Sequence, residues 1–185
     1  GIPEKEASGI LFLFLAFYFF MAGWDAKNKT YKYILGFLAG ASTAVMGLVW
    51  GGYLYILITI GPLIFFSFAL GQMDRDRKYF YATWLATTMI ILVIGTKRYP
   101  LSELLSSTTT LPAVFMLVVL IVDSLIHETS LMRRMPPYRI FNLPSPLLSL
   151  IITVGLGLLF ALVFFGPDYI VHNVLALKKF LITTG

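Results

Sequence analysis

YILGFLAGASTAVMGLVWGGYLYILITIGPLIFFSFALG, residues 33–71, decides the fold, because it holds no Asp, Glu, Lys or Arg. A transmembrane helix needs about 20 apolar residues to cross roughly 30 Å of hydrocarbon, so this stretch has room for two crossings. Trp50-Gly51-Gly52-Tyr53 divides it. Two glycines release the helix there, and Trp and Tyr favour the interface between lipid and water. Working outward from that turn, apolar runs predict six spans: 9–24, 33–49, 53–71, 79–95, 111–126 and 146–165. Several are short for a full crossing.

Composition points the same way. Of 185 residues, 58% are hydrophobic and 12% charged, with mean hydropathy +0.85. Soluble domains are already about half apolar, and a chain this size cannot hide more. The fold class expected is therefore all-α, a polytopic transmembrane helical bundle. A β-barrel would alternate apolar and polar residues instead of running apolar. Net charge +5 does not imply nucleic acid: the cations sit at the ends of spans, and no basic stripe with interleaved aromatics occurs. The absence of Cys removes disulfides, a thiolate nucleophile and Cys metal sites. No basic segment before an apolar one marks a signal peptide at residue 1.

The cations set an orientation. Lys27, Lys29, Lys32, Arg75, Arg77, Lys78, Arg133, Arg134 and Arg139 fall in alternate connections, nine on one face. Lys5, Lys97, Arg98, Lys178 and Lys179 make five on the other. The positive-inside rule places the nine in the cytoplasm. The N-terminus, the Trp50 turn, the loop from Lys97 to Thr110 and the tail 167–185 are then external. Pro112 suits the first turn of the helix that follows that loop. The tail from Tyr169 to Phe180 is mildly amphipathic and suits the outer interface.

Glu4 and Glu6 lead the candidates for chemistry. Two carboxylates at i and i+2 converge on a hard divalent cation if the backbone there is extended, and such an ion binds diphosphate and draws charge from a leaving group. The plainer reading is a solvated acidic pair at a helix N-terminus, stabilised by the helix dipole. Gly36, Gly40, Ala44, Gly47 and Gly51 recur at a spacing that lets helices approach closely, and packing is the reading adopted. Asp123 lies inside an apolar run, a placement often functional. An acid near the cytoplasmic interface, reaching water or pairing with a cation such as Arg133, is the preferred reading. His127-Glu128 and His172 are isolated, with no zinc-helix spacing, and no catalytic triad or phosphate-cradling loop can be argued.

Three patterns together resemble one family. They are Gly1-Ile2-Pro3-Glu4-Lys5-Glu6-Ala7 leading into a span, Gly47-Leu48-Val49-Trp50-Gly51-Gly52-Tyr53, and Ser106-Ser107-Thr108-Thr109-Thr110 before an apolar helix. The family is the catalytic subunit of oligosaccharyltransferase, particularly its archaeal form. The resemblance implies a membrane glycosyltransferase of the GT-C type, and a Mg²⁺ or Mn²⁺ ion with Glu4 and Glu6 at or beside it. It implies a polyprenyl-linked oligosaccharide donor and an acceptor polypeptide carrying Asn-x-Ser/Thr. It also implies an active face on the outside of the cell membrane. The family's first acidic motif and its Trp-Trp-Asp-Tyr-Gly motif are not among these residues. The chain is thus expected to be the central part of a membrane domain, inactive alone and completed by remaining segments of the same enzyme. Two other classes fit the composition: a different polyprenyl-phosphate-sugar transferase, and a non-catalytic membrane subunit or transporter.

Overall fold

The computed structural model describes residues 2–107, 109–128 and 145–165. All regular structure among them is helical: α1 (Ile2–Asp25), α2 (Lys29–Val49), α3 (Tyr53–Ala69), α4 (Arg75–Gly95), α5 (Leu101–Ser106), α6 (Leu111–Glu128) and α7 (Ser145–Phe165). Three stretches are long and apolar enough to cross a membrane: Glu6–Asp25, Lys29–Val49 and Arg75–Gly95. Tyr53–Ala69, Leu111–Ile126 and Pro146–Leu159 are shorter apolar helices. At 17 residues, α3 covers about 25 Å. The chain divides into two compact units, Gly1–Ser124 and Leu125–Gly185.

Local chemistry sets the ends of the helices. Asn28 caps α2, its side chain accepting from the Tyr31 amide at 3.2 Å. Asp74 caps α4 in the same way, accepting from the Arg77 amide at 2.7 Å. Each cap satisfies a donor that the first helical turn leaves open. The other ends need left-handed backbone. Gly51 has φ +76 after α2 and Gly71 has φ +70 after α3, a region that residues with a Cβ rarely enter. Gly51 therefore serves the turn, and it leaves the small-residue stripe predicted for it. Pro62 lies inside α3, where it removes one backbone hydrogen bond.

In the first unit the packing follows the small residues of α2. A Cβ on Gly36 would lie 3.0 Å from the Phe80 ring. A Cβ on Gly40 would lie 2.6 Å from the Trp84 carbonyl oxygen, and one on Gly47 would lie 2.7 Å from Leu92. Contacts rising together along both helices make α2 and α4 parallel, with α3 as the return. α1 runs against α2, since Gly23 abuts Leu35 while Gly9 abuts Trp50. Aromatic rings fill the space between. Phe20 lies 5.0 Å from Phe80 and 5.3 Å from Trp84, centroid to centroid. The fully buried Trp84 donates its indole N–H to Thr43 Oγ1 at 3.2 Å. Tyr81 donates to the Ala113 carbonyl at 2.8 Å, tying α4 to α6. Every buried polar tip named here has a partner, as an apolar interior requires.

Outward-facing residues of α1 are large and apolar: Phe14 and Tyr18 are 66% exposed and Met21 is 68% exposed. A face of that kind suits hydrocarbon better than water. In the second unit the described residues are the end of α6 and the apolar α7, where Thr153 donates to the Ser149 carbonyl at 2.8 Å. Arg133, Arg134, Arg139, His172 and the tail 167–185 lie outside the described residues.

Candidate functional site at the Trp50 end

The parallel run of α2 and α4 sorts the connections into two ends. One end carries cations. Lys29 meets Asp76 at 3.0 Å, and the Arg77 guanidinium stacks 4.9 Å from the Trp24 ring centroid. Lys78 pairs with Asp123 at 2.7 Å, both side chains about a tenth exposed. Asp123 thus pairs with a cation, Lys78 of α4; Arg133 lies outside the described residues. The Lys27 and Arg75 connections, which the sequence assigns to one face, meet here.

The other end gathers the three patterns that carry the resemblance. The N-terminal part of α1 reaches it through Gly9, whose Cβ would lie 3.2 Å from Trp50 Cβ. The Trp50-Gly51-Gly52-Tyr53 turn is folded tightly on itself, since a Cβ on Gly52 would lie 2.6 Å from the Trp50 ring. The segment after α4 closes onto the same turn. Tyr99 donates its hydroxyl to the Gly47 carbonyl at 3.4 Å, and its ring stands edge-on to Tyr53 at 5.2 Å. Arg98 lies over the Tyr99 ring at 5.5 Å. Beyond it, α5 is a short helix within the stretch from Lys97 to Thr110 that the sequence predicts as loop. Six residues are too few for a helical period to register in an apolar pattern. The Ser/Thr run is drawn in against α5: the buried Thr110 hydroxyl bonds the Leu104 and Ser107 carbonyls. Ser107 and Thr109 hydroxyls meet at 2.8 Å.

Glu4 and Glu6 are both exposed at this end of α1. Their backbone is helical and not extended, because α1 starts at Ile2 and not near residue 9. Side chains two apart on a helix leave the axis about 200° from each other, so the pair does not converge on one point. Among the described residues no group of three or more His, Asp or Glu side chains could hold a metal ion. The described residues therefore complete no Mg²⁺ or Mn²⁺ site of the kind that the resemblance implies, and no chemical step is routed through one here. Two residues missed in the sequence share this end: Tyr99, which clasps the turn, and Glu103, an exposed carboxylate on α5. The Pro100 that precedes α5, with an acid in its first turn, is the helix-start signal that marks Glu103.

No protein-family model, curated protein or solved structure compared with this chain matches it.

Proposed function

We propose that this chain is a multi-pass membrane segment of about six spans from a GT-C-type glycosyltransferase, similar to the catalytic subunit of oligosaccharyltransferase. Its Trp50 end faces outward in the cell membrane, where a polyprenyl-linked donor and an Asn-x-Ser/Thr acceptor meet. The observation that supports this reading is the meeting of two of the patterns at one end, Gly9 against Trp50, with Tyr99 of the segment that leads to the Ser/Thr run against Gly47 and Tyr53. The cations Lys29, Arg77 and Lys78 cluster at the opposite end. Residues far apart in sequence form one rim, which is what a site built from several connections requires.

In this reading Glu4, Glu6 and Glu103 give the rim exposed negative charge. A carboxylate there accepts hydrogen bonds from sugar hydroxyls or an acceptor amide. A Mg²⁺ or Mn²⁺ requirement belongs to the same proposal as what the resemblance implies. The experiment is glycosyl transfer by the intact parent protein carrying Glu4→Gln and Glu6→Gln, singly and together. Activity is expected to fall by about tenfold or more in at least one single variant, as loss of a charged hydrogen bond at a reacting centre does. Unchanged transfer in the double variant ends the assignment. A non-catalytic membrane segment is the second reading, and the divergence of Glu4 from Glu6 on α1 favours it. It expects full transfer in all three variants.

A further inference from the structure

Charges and turns bound the apolar length of α1–α4 at two levels. At the cation-rich end, Gly23 abuts both Phe80 and Leu35. Asp25, Lys32 and Lys78 each lie within one helical turn of that meeting point. Asp123 joins the same level through Lys78, 2.7 Å away. At the Trp50 end, Gly9 abuts Trp50, Gly47 abuts Leu92 and Gly95 abuts Leu48. Those contacts bring Glu6, the Gly51 turn and Lys97 to a second level. Between the two levels, residues 7–24, 33–49, Tyr53–Ala69 and 79–95 hold no Asp, Glu, Lys or Arg. At 1.5 Å per residue these runs rise about 25–27 Å, and any tilt shortens their reach across a membrane. The hydrocarbon core of a typical bilayer is about 30 Å. Outward side chains keep to the same limits. Phe14, Tyr18, Phe37, Ile58 and Ile90 are exposed between the levels. The exposed rings of Tyr31, Tyr79 and Trp50, of types that favour the interface, stand at the ends.

We propose that this belt fits a bilayer whose hydrocarbon core is about 25 Å, so that its partner is phospholipid with acyl chains shorter than oleoyl. A helix longer than the bilayer can tilt to fit, but one that is too short has no such freedom. Here four helices stop at the same two levels, and the packing of α2 against α4 through Gly36, Gly40 and Gly47 holds them in register. A thicker bilayer must therefore thin around the protein, or close over Glu6 and Lys97 at one level and Asp25 and Lys32 at the other. Either response costs more with each ångström of mismatch. The inference rests on the chain being membrane-embedded and is independent of glycosyl transfer.

The test reconstitutes the full chain in phosphatidylcholine vesicles and follows thermal unfolding by tryptophan fluorescence. The monounsaturated chains lengthen from myristoleoyl through palmitoleoyl, oleoyl and eicosenoyl to erucoyl. The wild-type midpoint is expected to be highest in myristoleoyl or palmitoleoyl vesicles, and lower by about 5 °C or more in erucoyl vesicles. Phe37→Lys combined with Ile90→Lys places a charge about one turn inside each level, on exposed side chains. That variant is expected to lose stability more steeply as the chains lengthen. Circular dichroism verifies that its helix content is kept, and the wild-type series decides the matter without it. A wild-type midpoint highest in oleoyl or longer chains would overturn the inference. The same dependence on chain length in a folded variant would overturn it too, by assigning the optimum to the lipid alone. Both results leave the membrane reading standing, whereas release of the wild-type chain from membranes by alkaline carbonate would overturn the two together.

Discussion

Replacing Asp123 by Ala is expected to destabilise the bundle by about 3–5 kcal/mol, the cost of leaving one partner of a buried ion pair without the other. Lys78 Nζ lies 2.7 Å from Asp123 Oδ2, and the two side chains are 10% and 9% exposed. Without the carboxylate, an ammonium is left at the end of α4 with little access to water. Lys78→Met alone should cost a similar amount by taking this ammonium away from the buried acid. The double replacement, Lys78→Met with Asp123→Leu, should recover part of the loss, because neither charge then needs solvation. Unfolding of the purified protein by denaturant in detergent measures all three. Single replacements that cost under about 1 kcal/mol, the range of exposed pairs, would show that water reaches the pair freely.

Gly40→Ala should be the most damaging of the glycine replacements on α2. Its Cβ would lie 2.6 Å from the Trp84 carbonyl oxygen and 2.7 Å from Thr87 Cβ. A backbone atom cannot swing aside as a side chain does, so α2 and α4 must separate. That separation also pulls Thr88 Oγ1 from the Gly40 carbonyl, 3.3 Å away. Overpacking of this kind costs about 1–3 kcal/mol, against the gain of up to about 1 kcal/mol that alanine brings to a helix. Gly61→Ala is the control. Nothing lies nearer than 3.4 Å to its Cβ, and it should be tolerated. Thermal unfolding of both variants in the same detergent separates the two cases, and equal midpoints would show that α2 and α4 do not pack so closely.

Much of this architecture can be read from residue type alone. Apolar runs bounded by cations locate the helices, since a helix satisfies its own backbone within one continuous apolar run. The Gly51 turn is legible because two consecutive glycines between Trp and Tyr leave few other uses. The small-residue spacing on α2 identifies its packing face, and Phe80 and Trp84 occupy it. The start of α1 is less legible. Pro3 and three charged residues look like a segment ahead of a span, yet proline is welcome in a first helical turn and Glu4 suits the helix dipole. That difference of a few residues puts Glu4 and Glu6 on a helix, where the extended backbone that convergence requires is not met. The partner of Asp123 is illegible for another reason. Lys78 is 45 residues away along the chain, and only tertiary packing brings them together.

The arrangement of the two ends across a bilayer is accessible to single-cysteine labelling, since the chain has no native Cys to mask the signal. Glu4→Cys and Glu103→Cys probe the Trp50 end, and Lys27→Cys probes the cation-rich end, all at exposed positions. With a membrane-impermeant maleimide on intact cells, positions 4 and 103 should label, and position 27 should label only after permeabilisation. Labelling of position 27 in sealed cells, with positions 4 and 103 protected, would contradict the orientation and with it the external site.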